Sequence, residues 1–207
     1  MFKAINKQVE RTRKWIFNAL LTLLGKKPYN EIKIANIAEE AGVARQSFYR
    51  NFENKDDIII KYIEDIFSEF VTKATKSETF KITGYSDLYS LFFEIMLKNK
   101  NQLIQLKNAS LSYLIYKTFI DFGKKINNEL FPENITSDKK VFPDYFAKYQ
   151  IGGFLSLTIE WIENDMTETP EELGMILQRI TEEFDSEQNF FPVIMDKLKI
   201  LNLQGEE

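Results

Sequence analysis

Arg45 and Gln46 open a run, "ARQSFYRNFENK", whose side chains are suited to hydrogen-bonding nucleic acid. A guanidinium presents a fork that matches the O6 and N7 acceptors of guanine, and a carboxamide matches the N6 and N7 edge of adenine. Ser47, Tyr49, Asn51 and Lys55 follow within ten residues, and hydroxyl, amide and ammonium groups are the kinds that grip phosphates. The apolar residues between them, Phe48 and Phe52, return at helical spacing.

Such side chains need a rigid short helix and a brace. The preceding run places Ile34, Ile37, Ala38 and Ala41 on one face of another short helix, with Gly42 at the turn and small Val43 after it. Two short helices across a glycine turn make a helix-turn-helix, whose second helix can lie in the major groove while the first crosses the backbone. Upstream, Val9, Ile16, Leu20 and Leu23 share a face of a first helix that Gly25 and Pro28 close. Downstream, Asn54 suits an N-cap, Asp56 and Asp57 suit the positive first turn, and Ile58, Ile59, Tyr62, Ile63, Ile66, Phe67 and Phe70 carry a long fourth helix away from the module.

Charge divides in the same place. Residues 1–61 hold twelve Lys and Arg against seven Asp and Glu, a balance of +5, and the remaining residues carry −9 of the total −4. A basic module on an acidic body fits nucleic-acid binding, although a solvated helix surface gives the same count. With no Cys and no His there is neither thiolate nor imidazole for zinc, copper or haem, and no Cys-His or Ser-His-Asp catalysis. The expectation is no enzyme and no cofactor. No stretch approaches the apolar length of a membrane span, and "MFKAINKQVERTRKW" has no signal-peptide core, so a cytoplasmic chain without a membrane partner is expected. The "GKKPYN" segment lacks Walker spacing, and the Asn108 and Asn134 sequons are chance matches in such a chain.

The fold class expected is all-α: an N-terminal three-helix helix-turn-helix domain, residues 1–54, joined through a long helix to a larger helical bundle, residues 55–207. In the body, "YSDLYSLFFEIMLKNK", "NQLIQLK" and "SLSYLIYKTFIDFGKKINNEL" read as helices, and residues 131–143 as an irregular connection. Then comes a helix with Phe146, Gln150, Gly153, Phe154, Leu157 and Trp161 in one stripe. Thr169, Pro170, Glu171 and Glu172 start another, and Phe190, Ile194, Leu198 and Leu201 mark a last. The acid run from Glu160 through Glu163, Asp165, Glu168, Glu171 and Glu172 offers ligands for a hard cation or, more simply, a solvated face. Tyr85, Tyr89, Tyr113, Tyr116 and Tyr149 suit either an effector cavity or a core.

The order "IKIANIAEEAGVARQSFYRNFENKDDI" closely resembles the DNA-binding domain of the TetR family of bacterial transcriptional regulators, over about residues 9–60. The resemblance implies that Arg45, Gln46 and Ser47 face the groove and that Tyr49 and Lys55 bind phosphates, with Asn51 alongside. The family usually carries Thr and Ser caps where this chain has Lys33 and Ala44, so two hydroxyls are missing and Lys33 is expected to offset them electrostatically. The region from Tyr149 through "IGGFLSLTIEWIENDMTETPEEL" resembles a Firmicutes-type C-terminal domain of that family. This implies a homodimer with Phe146, Gly153, Phe154, Leu157 and Trp161 at the interface; the residues alone allow the stripe to be core. Gly152 and Gly153 each cost roughly 1 kcal/mol inside a helix, a cost that close helix approach justifies.

The functional expectation is a dimeric repressor on a near-palindromic double-stranded operator, released by a small effector. Its pocket is expected around Tyr62, Ile66, Phe70, Tyr113 and Tyr116, and an apolar or aromatic ligand fits those faces. A partner protein docking on the acidic body is the alternative. A sensor should hold a closed pocket of some hundreds of Å³, and a docking module a solid body with an exposed apolar patch.

Overall fold

The computed structural model describes residues 7–76, 82–130, 137–185, 195–196 and 198–199, with side chains outside the description at 7, 126–130, 137–148 and 184–185. The described residues form nine α-helices and no strand: α1 (Lys7–Leu24), α2 (Ile34–Glu40), α3 (Arg45–Asn51), α4 (Lys55–Lys76), α5 (Tyr85–Lys98), α6 (Lys100–Asn108), α7 (Ser112–Leu130), α8 (Ser137–Glu163) and α9 (Pro170–Asp185). The expected all-α architecture is what the chain adopts.

Local chemistry explains the boundaries. Asn54 Oδ1 accepts from the Asp57 amide at 3.0 Å and so caps the start of α4, and Asp57 Oδ2 accepts from the amide of Glu53, one residue before the cap, at 2.9 Å. Thr169 and Glu172 cap α9 reciprocally, each side chain accepting from the other's amide, at 3.2 and 2.8 Å. Gly42 turns the chain between α2 and α3 at φ +64°, where a Cβ is penalised. Lys33 and Ala44 provide no side-chain oxygen for α2 and α3. At α2 the Lys33 amide itself is satisfied from inside the helix, since Asn36 Oδ1 accepts from it at 3.1 Å and from Lys27 Nζ at 3.0 Å.

Two expectations about the body change. α8 begins at Ser137 and runs through Pro143, so the irregular connection is shorter than expected; the helix accommodates a residue with no amide hydrogen rather than stopping at it. The last helix falls largely outside the described residues, including Phe190, Ile194 and Leu201, although Leu198 is buried.

One apolar core links both regions. Ile16, Leu20, Ile37, Phe48, Ile59 and Ile63 fill the N-terminal module. In the body Phe67, Phe92, Phe93, Phe119, Phe122, Phe154 and Trp161 meet ring on ring, with centroids 4.0 to 6.3 Å apart. α9 lies along α5 more extensively than any other helix pair described. Gly174 permits it: a Cβ there would stand 2.1 Å from Ser90 Oγ and 2.9 Å from the Ser86 carbonyl oxygen.

Candidate nucleic-acid interface

α3 sorts its side chains by side. Phe48, Asn51 and Phe52 turn inward and are buried, whereas Arg45, Gln46, Tyr49 and Arg50 stand exposed, with Ser47 between. Phe48, fully buried, anchors the helix to the module, so the outward side chains are presented from a fixed base.

Those outward side chains are partly preorganised. Arg45 Nη2 donates to Tyr49 Oη at 3.2 Å and its guanidinium lies 5.6 Å from the Tyr49 ring centre. Arg50 Nη2 donates to Ser47 Oγ at 2.8 Å. Among the described residues Gln46 has no side-chain partner, which leaves its whole amide available to a base edge. Lys61 Nζ donates to the Asn51 carbonyl oxygen at 3.0 Å and pairs with Asp57 at 2.7 Å, placing a cation at the negative end of α3 and tying it to α4.

Asn51 needs correcting as a phosphate contact. Its Nδ2 donates to the Ser47 carbonyl oxygen at 2.7 Å, its Oδ1 is buried without a partner, and the residue is 8% exposed. Its helix position points it at the core. Arg50, one residue earlier, is the exposed cation that the sequence reading passed over, and its position beside Tyr49 on the outer face was the available signal. Lys33 is exposed at the start of α2. Lys55 is half-buried: its Nζ donates to the carbonyl oxygens of Tyr29 at 2.7 Å and Ile32 at 3.2 Å, leaving one of three hydrogens for a phosphate.

Other expected sites separate. Trp161 is 2% exposed, its ring centre 5.0 Å from Phe93 and its Nε1 donating to the Glu168 carbonyl oxygen at 3.0 Å, so it is core and not free for a partner. Phe154 packs on Phe92, Phe93 and Tyr89, and Leu157 is half-buried against the core. Gly152 and Gly153 are exposed, and a Cβ on either would meet nothing within 4 Å among the described residues, so no close approach among those residues accounts for them. Phe146 lies in α8, but its side chain is outside the described residues. The stripe is therefore mostly inward, while Met175, Ile176 and Ile180 of α9 are exposed by 42 to 59%. Their signal, apolar residues Met175, Ile176 and Ile180 that widen the apolar side of α9 beyond Leu173 and Leu177, was present in the sequence.

The expected effector residues are not among those lining the cavity between α4 and α7. Ile66 and Phe70 are core, Tyr62 stacks on Phe17, and Tyr113 and Tyr116 are exposed. That cavity, of about 170 Å³, is lined by Ile60, Glu64, Lys117, Thr118, Asp121, Phe122 and Lys125. Its rim is charged, contrary to the apolar ligand expected. The acid run disperses into local partners: Asp165 pairs with Lys107, Glu163 accepts from Ser112, Glu160 accepts from Asn164, and Glu172 caps α9. Among the described residues no group of three or more Asp or Glu is placed to hold a metal ion.

A family profile described as "Bacterial regulatory proteins, tetR family" matches residues 16–62, the same helices that build this interface. A second, "Transcriptional regulator C-terminal region" of that family, matches residues 85–183. The chain belongs to the TetR family. Within it, similar proteins include the dhaKLM operon transcriptional activator DhaS of Lactococcus lactis, 27% identical over 124 residues, covering 55% of this chain and 64% of that protein. The negative regulator IcaR of the biofilm operon icaADBC in Staphylococcus epidermidis is 24% identical over 136 residues, covering 61% and 74%. The matched stretch is less than two thirds of the first curated relatives' own length. A solved TetR regulator from Streptococcus agalactiae shares the fold at TM-score 0.54 with 18% identity, covering 84% of this chain and 95% of that one. These TetR relatives are transcriptional regulators of both signs, activator and repressor. No helix among the described residues is long and apolar enough to cross a membrane.

Proposed function

We propose that this TetR-family chain is a sequence-specific transcriptional repressor that binds a near-palindromic operator as a homodimer. Its head comprises residues 1–54 and its regulatory body residues 55–207. The observation that carries the reading is the division of α3, with Phe48 buried and Arg45, Gln46, Tyr49 and Arg50 held outward. Arg45, Gln46 and Ser47 read bases; Lys33, Tyr49, Lys55 and Arg50 hold phosphates. One seven-residue helix reads only a few base pairs, so two act together. The exposed Met175, Ile176 and Ile180 of α9 support a second copy as the covering surface.

Release by a small effector at the α4–α7 cavity is supported by its position, because α4 starts at Lys55, directly after the head, and runs through Phe70 into the body. A ligand that prefers another setting of α4 weakens DNA binding by the factor by which DNA weakens the ligand, typically about 5- to 150-fold. Control by a docking protein is the second reading. It is favoured by the ring-on-ring filling of the body and by a cavity smaller than the roughly 300 Å³ at which small-molecule pockets begin. Operator affinity measured with and without a ligand bound at α4–α7 separates the two: unchanged affinity at saturation rejects the effector and leaves protein contact.

A further inference from the structure

Among the described residues, two side-chain hydrogen bonds, Tyr62 to Asn99 and Gln105 to Leu21, pass between the region matched by the DNA-binding profile and the region matched by the C-terminal profile, and both end on α6 or its first flank. Tyr62 Oη of α4 donates to Asn99 Oδ1 at 2.7 Å. Gln105 Nε2 of α6 donates to the carbonyl oxygen of Leu21, near the end of α1, at 2.6 Å. Each is held in place. Asn99 Nδ2 donates to the Ile95 carbonyl oxygen at 2.8 Å, which fixes which end of its amide faces Tyr62. Tyr62 stacks on Phe17 with ring centres 3.9 Å apart, and burial pushes its phenol well above the usual range, so it remains a donor. Leu103 and Leu106, fully buried, fix α6 in the body.

Asn99 and Gln105 are six residues apart, about 9 Å along a helix. The continuous α4 and the shared apolar core already join the two regions, but apolar packing is non-directional. Two directional bonds, one to α1 of the head and one to α4 that leads out of it, add a fixed rotation to that packing. We infer that Asn99 and Gln105 are positioning residues that set the orientation of the DNA-binding head on the body, and through it the half-site spacing the dimer accepts. The consequence for spacing rests on the proposed dimeric DNA binding; the orientation itself does not.

The test uses Gln105→Met, which keeps length and packing but removes the donor, and Tyr62→Phe, which keeps the stack on Phe17. Affinities are measured on operators whose half-site spacing is altered by one and two base pairs. The variants should lose about two- to tenfold of the discrimination between correct and misspaced sites, the range one such hydrogen bond supports. Their affinity for a single half-site should hold. In parallel, spin labels at Lys33→Cys in the head and Glu171→Cys in the body, clean because the chain has no cysteine, report the head-to-body distance in full-length chain diluted with unlabelled chain. A broadened or shifted distance in either variant supports the inference; an unchanged distance in both overturns it. If the distance responds and no symmetric site is bound, the dimeric DNA-binding reading fails while the positioning role stands.

Discussion

Lys55 Nζ lies 4.1 Å from the ring centre of Tyr29 and donates to that residue's carbonyl oxygen. With its second bond to Ile32, it fastens the α1–α2 loop to the start of α4 and keeps one hydrogen beyond these two bonds. Tyr29 is itself held to α4, its hydroxyl donating to Asp56 Oδ1 at 2.5 Å.

Lys55→Ala should therefore act twice. It removes charge-assisted bonds to partly buried carbonyls and should cost about 1.5–3 kcal/mol of stability, seen as a lower denaturation midpoint. It should also weaken all DNA sequences alike and reduce the salt slope of binding by about one. A full slope with a lowered midpoint would make Lys55 an anchor alone.

Arg45→Ala and Gln46→Ala should instead relax base preference, by about 1–3 kcal/mol at the base each reads. Binding selections on randomised half-sites check this. If these variants lost affinity uniformly and kept their preferences, the division between reading and gripping residues would be wrong.

The α9 surface gives a contrast with the expected stripe. Ile176→Asp and Ile180→Asp, on exposed positions, should shift the chain toward monomer in sedimentation equilibrium while leaving its helix content intact. Trp161→Ala should destabilise the folded chain by about 3–5 kcal/mol, the usual cost of deleting a buried aromatic. A dimer unmoved by both Asp variants would place the interface elsewhere.

Gly174→Val should lower the thermal midpoint, because Ser86 contributes backbone and cannot step aside for a Cβ 2.9 Å away. Overpacking of this kind costs roughly 1–3 kcal/mol. A midpoint equal to the parent's would mean that α9 lifts off α5 at little cost.

What the sequence disclosed follows from the range of the forces involved. Asn54, Gly42 and Thr169 act on backbone groups within a few residues, so the starts of α4 and α9 and the turn before α3 were legible. The inward turn of Asn51 is a matter of helix phase against Phe48, readable in principle once burial of Phe48 is fixed. Trp161, Gly153 and the tyrosines depend on which helix comes to lie beside them. A stripe such as Phe154, Leu157 and Trp161 states that a face is covered, but not whether the cover is α5 or another chain. The Gln105 bond to Leu21 spans 84 residues and left no local mark.

The central claim is that two copies of this head read DNA together through α3, and selection of bound duplexes from a random pool tests it most directly. The account predicts enriched sites with two-fold symmetry, half-sites about 10 base pairs apart or a multiple of that, and loss of the enriched bases when Arg45 or Gln46 is removed. Enriched sites without symmetry, or no enrichment over random duplex, would contradict it.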